Sequence, residues 1–332
     1  MTIFRAIYLE KTQSGTTTAA IRELDDSLMP SVEDAVLVDV AYSSLNYKDA
    51  LAITGRSPVV RRFPMVPGID LAGTVAESRS AKWQRGDEVL VTGYEIGEVH
   101  WGGLARRARV KSEWLVRKPE TMTLFETMAV GTAGFTAALA MTALEAHGGG
   151  PDAGPVLVTG ATGGVGSIGI MLLAASGYTV AASTGKSHEA DYLRQLGARE
   201  IVDRGALSAP GKPLQRERWA GAIDSVGSHT LANVCASMKP RGVVAACGLA
   251  QGMDFPATVA PFILRGVTLA GVSSVMTPMP ERLAAWQKIE RLIAHEQLRG
   301  LAREIGLEEA LDLSPQVLAG AVRGRLVVNV NR

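Results

Sequence analysis

The segment that most restricts the fold of this chain is PVLVTGATGGVGSIGIMLLAASG, in which an apolar strand runs into glycines and then directly into an apolar helix. The turn carries Gly160, Gly163 and Gly166. Glycine suits a phosphate-binding turn because a side chain would hold the backbone away from a pyrophosphate, and the helix N-terminus offers free N–H donors. The segment predicts a dinucleotide-binding turn, although a tight strand-to-helix turn without a ligand has the same pattern.

The regions around this turn differ in their periodicity. After it, short apolar strands alternate with helices in the order YTVAAS, HEADYLRQLG, GAIDSV, SHTLANVCASM, RGVVAACG. This alternation predicts a doubly wound parallel sheet. Residues 3–124 are short β-like runs separated by turns, and the tail ends in the strand RLVVNV. We therefore predict an α/β protein in which 1–124 and 275–332 form one β-rich domain and 125–274 form an inserted Rossmann domain.

The end of the second strand of this sheet indicates the cofactor. It reads Ser183, Thr184, Gly185, Lys186, about 20 residues past the glycine turn, where an NAD-specific site places an acid. Hydroxyl groups and a lysine instead donate hydrogen bonds and charge to a 2′-phosphate. The sequence therefore predicts NADPH. Arg199, in LGAREIVD, is a further candidate for this phosphate, and its alternative is a solvated surface arginine.

Composition argues against several other classes of protein. The net charge of +1 gives no general attraction to nucleic acid or to an anionic membrane. Cys235 and Cys247 are the only cysteines, and neither has zinc-ligand spacing or a CxxC partner, so we expect no metal site and no disulfide. The N-terminus lacks a signal-peptide pattern and no run of about 18 apolar residues occurs, which predicts a cytoplasmic protein.

Five phrases together resemble the quinone-oxidoreductase branch of the medium-chain dehydrogenase/reductases: SSLNYKDALAITG, VPGIDLAGTV, GDEVLVTG, GTAGFTAALA and GATGGVG. Within that branch, NYKDALAITG, STGK, LGAREIVDR, CGLAQG and PFILRGVTLAGVSS are most similar to the NADPH-dependent acryloyl-CoA reductases. The resemblance spans nearly the whole chain. It implies a GroES-like β domain made from both chain ends, an inserted Rossmann domain, an active site in the cleft between them, and a homodimer.

The resemblance also implies the residues of the site. In zinc-dependent relatives the Cys ligand falls at the position of Asn46 and the His ligand at that of Ile69, so both metal ligands are replaced. The family pattern GxDS is GVSS here, which keeps the serine without its acid. With Lys186 added from the strand-end argument, the expected cofactor contacts are Tyr42, Ala161, Thr162, Gly163, Gly164, Ser183, Thr184, Gly185, Lys186, Arg199, Leu249, Ile263 and Ser274.

The implied reaction is zinc-independent hydride transfer to the β-carbon of acryloyl-CoA, giving propionyl-CoA after protonation of the α-carbon. Asn46 and Tyr47 are the candidate catalytic residues. Asn46 is expected to donate to the thioester oxygen or the cofactor, since stabilising a developing oxyanion is usually the largest catalytic term. Its alternative is an asparagine that caps a loop. Tyr47 is expected to donate the proton, and its alternative is a half-buried aromatic residue with water as the donor.

The partner predicted for this site is a small acyl-CoA thioester. Arg61, Arg62, Arg106 and Arg107 are candidate contacts for its phosphates, and each has the alternative of an ordinary surface arginine. A second enzyme hypothesis is an NADPH:quinone oxidoreductase or general enone reductase with an apolar pocket. A hypothesis from another class is an NADPH-binding sensor or crystallin-like protein without turnover.

Overall fold

The computed structural model describes residues 2–332. Its strands are β1 (Ile3–Lys11), β2 (Thr17–Asp25), β3 (Ala35–Ser44), β4 (Asp70–Ser78), β5 (Glu88–Thr92), β6 (Arg107–Lys111), β7 (Val116–Arg117), β8 (Val156–Val158), β9 (Val180–Thr184), β10 (Ala198–Asp203), β11 (Trp219–Asp224), β12 (Met238–Ala246), β13 (Thr268–Gly271), β14 (Ala302–Ile305) and β15 (Arg325–Asn329). Its α-helices are α1 (Tyr47–Thr54), α2 (Leu124–Ala146), α3 (Gly164–Ala175), α4 (Ala190–Gln195), α5 (Ser228–Ala236), α6 (Ala260–Arg265), α7 (Met279–Leu292), α8 (His295–Leu301) and α9 (Leu307–Leu318). The chain divides into two compact units: residues up to Thr132 with Ala294–Arg332, and Ala133–Ile293.

The first unit is a β domain made from both ends of the chain. Its seven-stranded sheet has the order β14-β15-β3-β4-β5-β7, β6 pairs with β3, and β1 and β2 form a separate antiparallel pair. The last strand, β15, runs antiparallel to β3 with Val327 opposite Ser44. Val38 and Val40 share one buried apolar core with Leu326 and Val328. The predicted GroES-like domain built from both chain ends is thereby confirmed.

The segment expected to be a loop around Asn46 contains a helix. α1 begins at Tyr47 with Asn46 as its N-cap and ends at Gly55, whose φ of 65° is left-handed. Asp49, the third residue of the helix, accepts the Asn46 backbone N–H through Oδ2 at 2.8 Å. This Asn-x-x-Asp spacing is a capping pattern that marks the start of a helix in the sequence.

The second unit is a six-stranded parallel sheet in the order β10-β9-β8-β11-β12-β13. Three of the four inner strands, β9, β8 and β11, are buried along their whole length, as expected for a parallel sheet covered by helices on both faces. The predicted doubly wound Rossmann sheet is confirmed. Because the strands are parallel, their carboxyl ends meet at one edge, where ligands bind in such sheets.

The boundaries between the two units differ from those predicted at residues 125 and 275. The second unit extends to Ile293 because α7 packs within it. Lys288 Nζ on α7 donates to Thr142 Oγ1 at 2.9 Å and to Glu145 Oε2 at 2.6 Å. The helical pattern in the tail was assigned to the first domain from its position in the chain, and these contacts correct that assignment.

The helix α2 is the most apolar long element. Contrary to the expectation that no apolar run of this length occurs, it is the one helix among residues 2–332 that is long and apolar enough to cross a membrane, but 78% of its apolar window is buried inside the protein. A core helix has this composition. The helix is broken at Gly131, where φ is 49° and ψ is −159°.

Candidate active site

A cluster of buried polar side chains surrounds Asp70 at the start of β4. Asp70 is fully buried. Its Oδ2 accepts Ser44 Oγ at 2.5 Å and Asn46 Nδ2 at 2.9 Å. Its Oδ1 accepts Thr132 Oγ1 at 2.5 Å, and the Thr132 backbone N–H also points at the carboxylate, 2.9 Å from Oδ2. A buried carboxylate with this many donors is well satisfied.

Arg325, on β15, supplies the positive charge of this cluster. Its side chain is 4% exposed, and Nη2 lies 3.9 Å from Asp70 Oδ2. Nη1 donates to Asn46 Oδ1 at 3.0 Å, and Nε donates to the carbonyl oxygen of Ala129 at 2.9 Å. Burial lowers the pKa of Arg325, and the charge of Asp70 opposes that shift. Through Arg325, the strand β15 is therefore bonded to Asn46 at the start of α1 and lies close to Asp70 at the start of β4.

The break in α2 allows this arrangement. A Cβ on Gly131 would lie 2.6 Å from both Arg325 Nη2 and Asp70 Oδ2, and its φ of 49° is in the left-handed region. Only glycine fits such a conformation at this distance from two side chains without strain. Gly131 thereby brings the N–H of Thr132 onto Asp70.

Asp49 is the second carboxyl group of the cluster. It is 1% exposed, and its Oδ1 accepts the backbone N–H of Ile69 at 2.9 Å. Burial, with a contribution from the charge of Asp70, raises the pKa of Asp49 to about 7. We name Ser44, Asn46, Asp49, Asp70, Thr132 and Arg325 the Asp70 cluster.

Asp49 predicts a pH dependence of stability. Its folded-state pKa of about 7 lies above its usual value of 3.8, so the folded protein binds this proton more tightly than the unfolded chain does. The stabilisation is fully present below about pH 4 and is lost as the pH rises through about 7. We expect the urea midpoint of the wild type to fall between pH 5 and 8 relative to that of Asp49→Asn. Parallel pH profiles for the two proteins would contradict this.

The structure does not leave Asn46 free to act on substrate as expected. Its Nδ2 lies within 3.1 Å of Ser44 Oγ, Asp49 Oδ2 and Asp70 Oδ2, and its Oδ1 accepts from Arg325. An amide has only two N–H hydrogens, so both are used inside the cluster. The donor role predicted for Asn46 is therefore corrected to that of a buried residue that fixes the start of α1.

Tyr47, the other candidate catalytic residue, is more exposed than Asn46. It is the first residue of α1 and is 41% exposed, whereas the neighbouring Asn46 is 8% exposed. The neighbour on its other side, Lys48, donates from Nζ to Glu98 Oε1 at 2.7 Å. Tyr47 is therefore a partly exposed tyrosine at a helix start whose neighbouring residues on both sides are held by hydrogen bonds.

Three of the four arginines proposed for CoA phosphates already have partners. Arg61 Nη2 lies 2.5 Å from Glu95 Oε1. Arg106 Nε donates to the carbonyl oxygen of Val330 at 3.2 Å. Arg107 Nε lies 2.9 Å from Asp39 Oδ1. The expectation that these three bind phosphate is weakened, and exposed Arg62 is the remaining member of the set.

The glycine turn of the second unit lies between β8 and α3. A Cβ on Gly166 would lie 2.4 Å from the carbonyl oxygen of Gly160, so the helix starts in contact with the turn. The N-cap of α3 is Gly163, and no side chain caps the helix. The first N–H groups of a helix have no partner within it and favour an anion. The turn therefore fits a pyrophosphate, with Ala161, Thr162, Gly163 and Gly164 supplying its backbone.

The end of β9 forms the second part of the expected cofactor site. Ser183 and Thr184 are buried, and Thr184 Oγ1 accepts the backbone N–H of Lys186 at 3.0 Å. The guanidinium of Arg204 lies against the next residue, since a Cβ on Gly185 would be 2.9 Å from Arg204 Cζ. A cationic group thus borders the loop predicted to take the 2′-phosphate.

Arg204, and not Arg199, is the arginine that lies beside Gly185. Arg199 lies near the start of β10, where Ala198 pairs with Val180, whereas Arg204 follows Asp203, which pairs with Thr184. Arg199 is four residues before the end of β10 at Asp203, which at about 3.3 Å per residue places it about 13 Å from that strand end. The structure therefore does not place Arg199 beside the loop at Gly185. The available signal was the final arginine of LGAREIVDR, which follows the carboxyl end of the strand.

The remaining predicted cofactor contacts are distributed over both units. Leu249 is 52% and Ile263 is 73% exposed, which is high for apolar residues. The carbonyl oxygen of Ser274 accepts Arg282 Nη2 at 3.4 Å. Tyr42 packs edge-on against Phe125 in the first unit, with ring centroids 5.7 Å apart. Their contacts with a cofactor stay predictions.

No metal-binding group is found in the part of the chain that the structure describes, residues 2–332, where no three His, Cys, Asp or Glu side chains are suitably grouped. Asn46, at which the resemblance to zinc-dependent relatives implies a replaced Cys ligand, has its amide enclosed by the Asp70 cluster. The residues present here are thus an amide, two carboxyl groups and a guanidinium.

Comparison with known proteins agrees with this architecture. The family "Alcohol dehydrogenase GroES-like domain" matches residues 32–120, and "Zinc-binding dehydrogenase" matches residues 164–293. The probable acrylyl-CoA reductase AcuI of Escherichia coli is 48% identical over 327 residues, covering 98% of this chain and all of the relative. The structure of the yhdH oxidoreductase of Salmonella enterica with NADP is 48% identical, with a TM-score of 0.95 over 98% of this chain and 99% of that one.

A third relative carries a different name and cofactor. The putative quinone oxidoreductase YhfP of Bacillus subtilis is 43% identical over 331 residues, covering 99% of both chains. Its structure with NAD bound has a TM-score of 0.94 over 99% of this chain and all of that one.

The fold and the site define a member of the medium-chain dehydrogenase/reductase superfamily. Within it, the chain belongs to the quinone-oxidoreductase-like branch that contains the acrylyl-CoA reductases.

Proposed function

We propose that this protein is a zinc-independent, NADPH-dependent reductase of an activated carbon-carbon double bond that converts acrylyl-CoA (acryloyl-CoA) to propionyl-CoA. The observation that carries the proposal is the 48% identity with acrylyl-CoA reductases along nearly the full length of the chain. A glycine turn that fits a pyrophosphate and a cationic loop at Gly185 support the choice of NADPH.

The residues of each unit have separate tasks in this mechanism. NADPH, when bound, supplies the hydride that the β-carbon of the substrate receives. The turn at Gly160 and the N-terminus of α3 bind the pyrophosphate, and Lys186 and Arg204 bind the 2′-phosphate. The Tyr47 hydroxyl donates the proton that the α-carbon needs, so that hydride and proton together saturate the double bond. The Asp70 cluster holds Tyr47 by fixing the start of α1.

The proposed phosphate site predicts the effect of two arginine substitutions. Arg204→Ala is expected to weaken NADPH binding by about 10–100-fold, because a charge-assisted hydrogen bond to a phosphate is lost. NADH binding is expected to stay within a factor of about three, since NADH lacks that phosphate. The control Arg199→Ala should change neither constant. Calorimetric titration of both cofactors measures the effect, and an equal loss in the two variants would contradict it.

Tyr47→Phe tests the proton donor. We expect kcat with acrylyl-CoA to fall by about 10–100-fold, because general acid catalysis contributes this much or more. The KM for NADPH should be unchanged. Lys48→Met, which removes the ion pair with Glu98 on the adjacent residue, is the control for disturbance of the helix start. If turnover of Tyr47→Phe equals that of the wild type, Tyr47 is not the donor.

Steady-state rates on acrylyl-CoA, crotonyl-CoA and benzoquinone test the function as a whole. The proposal expects the highest kcat/KM with acrylyl-CoA. The name of the Bacillus subtilis relative favours a second candidate, quinone reduction, which predicts that benzoquinone is best. A third outcome, tight NADPH binding without oxidation by any acceptor, would support a binding protein without turnover.

We also propose that the enzyme is a cytoplasmic homodimer, as the resemblance implies. β13 is the outer strand of the second unit's sheet, and Val259, Ile263 and Leu264 are each at least 67% exposed. An edge strand beside exposed apolar side chains suits pairing with a second copy. Sedimentation equilibrium at micromolar concentration should give a dimer, and a monomer would contradict this proposal. Subcellular fractionation tests the compartment.

A further inference from the structure

Asp224, the last residue of β11, is a buried carboxylate for which the mechanism above has no use. It is fully buried. Its Oδ1 accepts Thr159 Oγ1 at 2.7 Å, and its Oδ2 accepts the backbone N–H groups of Gly227 at 2.8 Å and Val226 at 3.3 Å. Burial raises the pKa of this carboxyl group, and the three hydrogen bonds oppose that shift. The carboxylate therefore contacts two separate segments of the chain, one through the Thr159 hydroxyl and the other through the backbone N–H groups of Val226 and Gly227.

The first of these segments leads into the glycine turn. Thr159 immediately precedes Gly160, and its Oγ1 also accepts the backbone N–H of Ser225 at 3.1 Å. Ser225 Oγ donates to the carbonyl oxygen of Thr159 at 3.2 Å. A Cβ on Gly160 would lie 2.5 Å from Ser225 Oγ, so the two strand ends are in contact. Asp224 thus fixes the point at which β8 enters the turn.

The second segment, residues 225–227, supports the chain that follows β12. The carbonyl oxygen of Val226 accepts the Gln251 N–H at 2.8 Å, and that of Asp224 accepts the Cys247 N–H at 2.8 Å. A Cβ on Gly248 would lie 2.4 Å from the carbonyl oxygen of Ser225. The position of Leu249, an expected cofactor contact, therefore depends on the turn that Asp224 orders.

We propose that Asp224 is a positioning residue for the cofactor: its carboxylate sets the spacing between the glycine turn and the Leu249 segment so that one dinucleotide contacts both. The inference rests on the proposed function, since it assumes that NADPH binds at this edge of the sheet. Asp224 acts through Thr159 and residues 225–227 and does not itself touch the cofactor.

The chemistry of the site explains the choice of an acid. Three donors converge on the side chain, and a carboxylate accepts from all of them. An asparagine keeps one acceptor oxygen, but its NH2 group cannot accept a hydrogen bond from the donors that it would face. An alanine leaves all three donors without this partner, and each buried donor left unpaired is costly. The effect of substitution should therefore rise from asparagine to alanine.

The test measures binding of NADPH and of adenosine 2′-monophosphate to Asp224→Asn and Asp224→Ala. The nucleotide carries the 2′-phosphate but neither the pyrophosphate nor the nicotinamide, so it probes the proposed 2′-phosphate site at Gly185 and Arg204. We expect NADPH affinity to fall by about 10-fold in Asp224→Asn and about 100-fold in Asp224→Ala. Binding of adenosine 2′-monophosphate should change by less than about threefold.

A matched control separates positioning from general loss of stability. Trp219 is the first residue of β11, at the opposite end of the same strand, and is 1% exposed. Trp219→Leu should lower the melting temperature while leaving NADPH affinity within about threefold of wild type. If Asp224→Ala does not fold, Asp224→Asn decides the question.

Three results would overturn the inference: wild-type NADPH affinity in a folded Asp224 variant, equal loss of NADPH and adenosine 2′-monophosphate binding, or a loss as large in Trp219→Leu. A wild-type protein that fails to bind NADPH would instead refute the proposed function.

Discussion

Replacing Arg325 with leucine is expected to lower the free energy of unfolding of the first unit by about 3–5 kcal/mol, since one partner of a buried ion pair is removed. Arg325 is 4% exposed, and its charge lies 3.9 Å from the fully buried Asp70. The substitution also leaves Asn46 Oδ1 and the carbonyl oxygen of Ala129 without their donor. Urea denaturation followed by circular dichroism measures the loss.

The control for this prediction is Arg332→Ala. Arg332 is more than half exposed and lies 3.6 Å from Glu309, so its loss should cost no more than about 1 kcal/mol. Arg325→Lys keeps the charge but cannot reproduce the planar set of donors, and we expect an intermediate loss. An Arg325→Leu protein as stable as Arg332→Ala would show that the cluster does not hold the first unit together.

Gly166→Ala is expected to weaken NADPH binding by up to about 100-fold. The new Cβ would lie 2.4 Å from the carbonyl oxygen of Gly160 and 2.7 Å from Ala161 Cα, both backbone atoms of the turn. The turn must shift to relieve this contact. Overpacking of this kind costs about 1–3 kcal/mol, and the upper part of that range corresponds to about 100-fold in the dissociation constant. Quenching of protein fluorescence on NADPH titration measures it.

Gly169→Ala is the matched control in the same helix. A Cβ at Gly169 would meet Ile223 Cδ1 at 3.6 Å, an ordinary contact. Alanine is the better helix former by about 1 kcal/mol, so this variant should be at least as stable as the wild type and should bind NADPH normally. Equal NADPH affinity in both variants would show that the turn does not carry the pyrophosphate.

The parts of the fold that could be predicted are those with a local signal. The glycine turn lies within one strand-turn-helix unit, and the alternation of strands and helices after it is continuous along the chain. The helix α1 was not predicted because its start is marked only by a capping pattern, Asn46 and Asp49. No periodic pattern of apolar residues accompanies that signal. The assignment of α7 was wrong because a single amphipathic helix does not indicate which unit it packs against.

The site was harder to predict because its residues meet only in three dimensions. Asn46 and Arg325, which share a hydrogen bond, are 279 positions apart. Asp70 follows Ile69, a position noted for its replaced zinc ligand, but nothing nearby indicates that Asp70 is the centre of a buried cluster. Which arginine lies beside Gly185, Arg199 or Arg204, depends on the pairing of β10 with β9. That pairing is set by the order of strands in the sheet.

Transfer of label from [4-²H]NADPH to acrylyl-CoA tests whether the protein delivers a hydride to the β-carbon of this substrate. We expect propionyl-CoA that carries deuterium at the β-carbon when the transferred hydride is labelled, and at the α-carbon when unlabelled NADPH reacts in D₂O. Mass spectrometry and ²H NMR of the product distinguish the two positions. Absence of propionyl-CoA, or nucleotide deuterium at the α-carbon, would contradict the account.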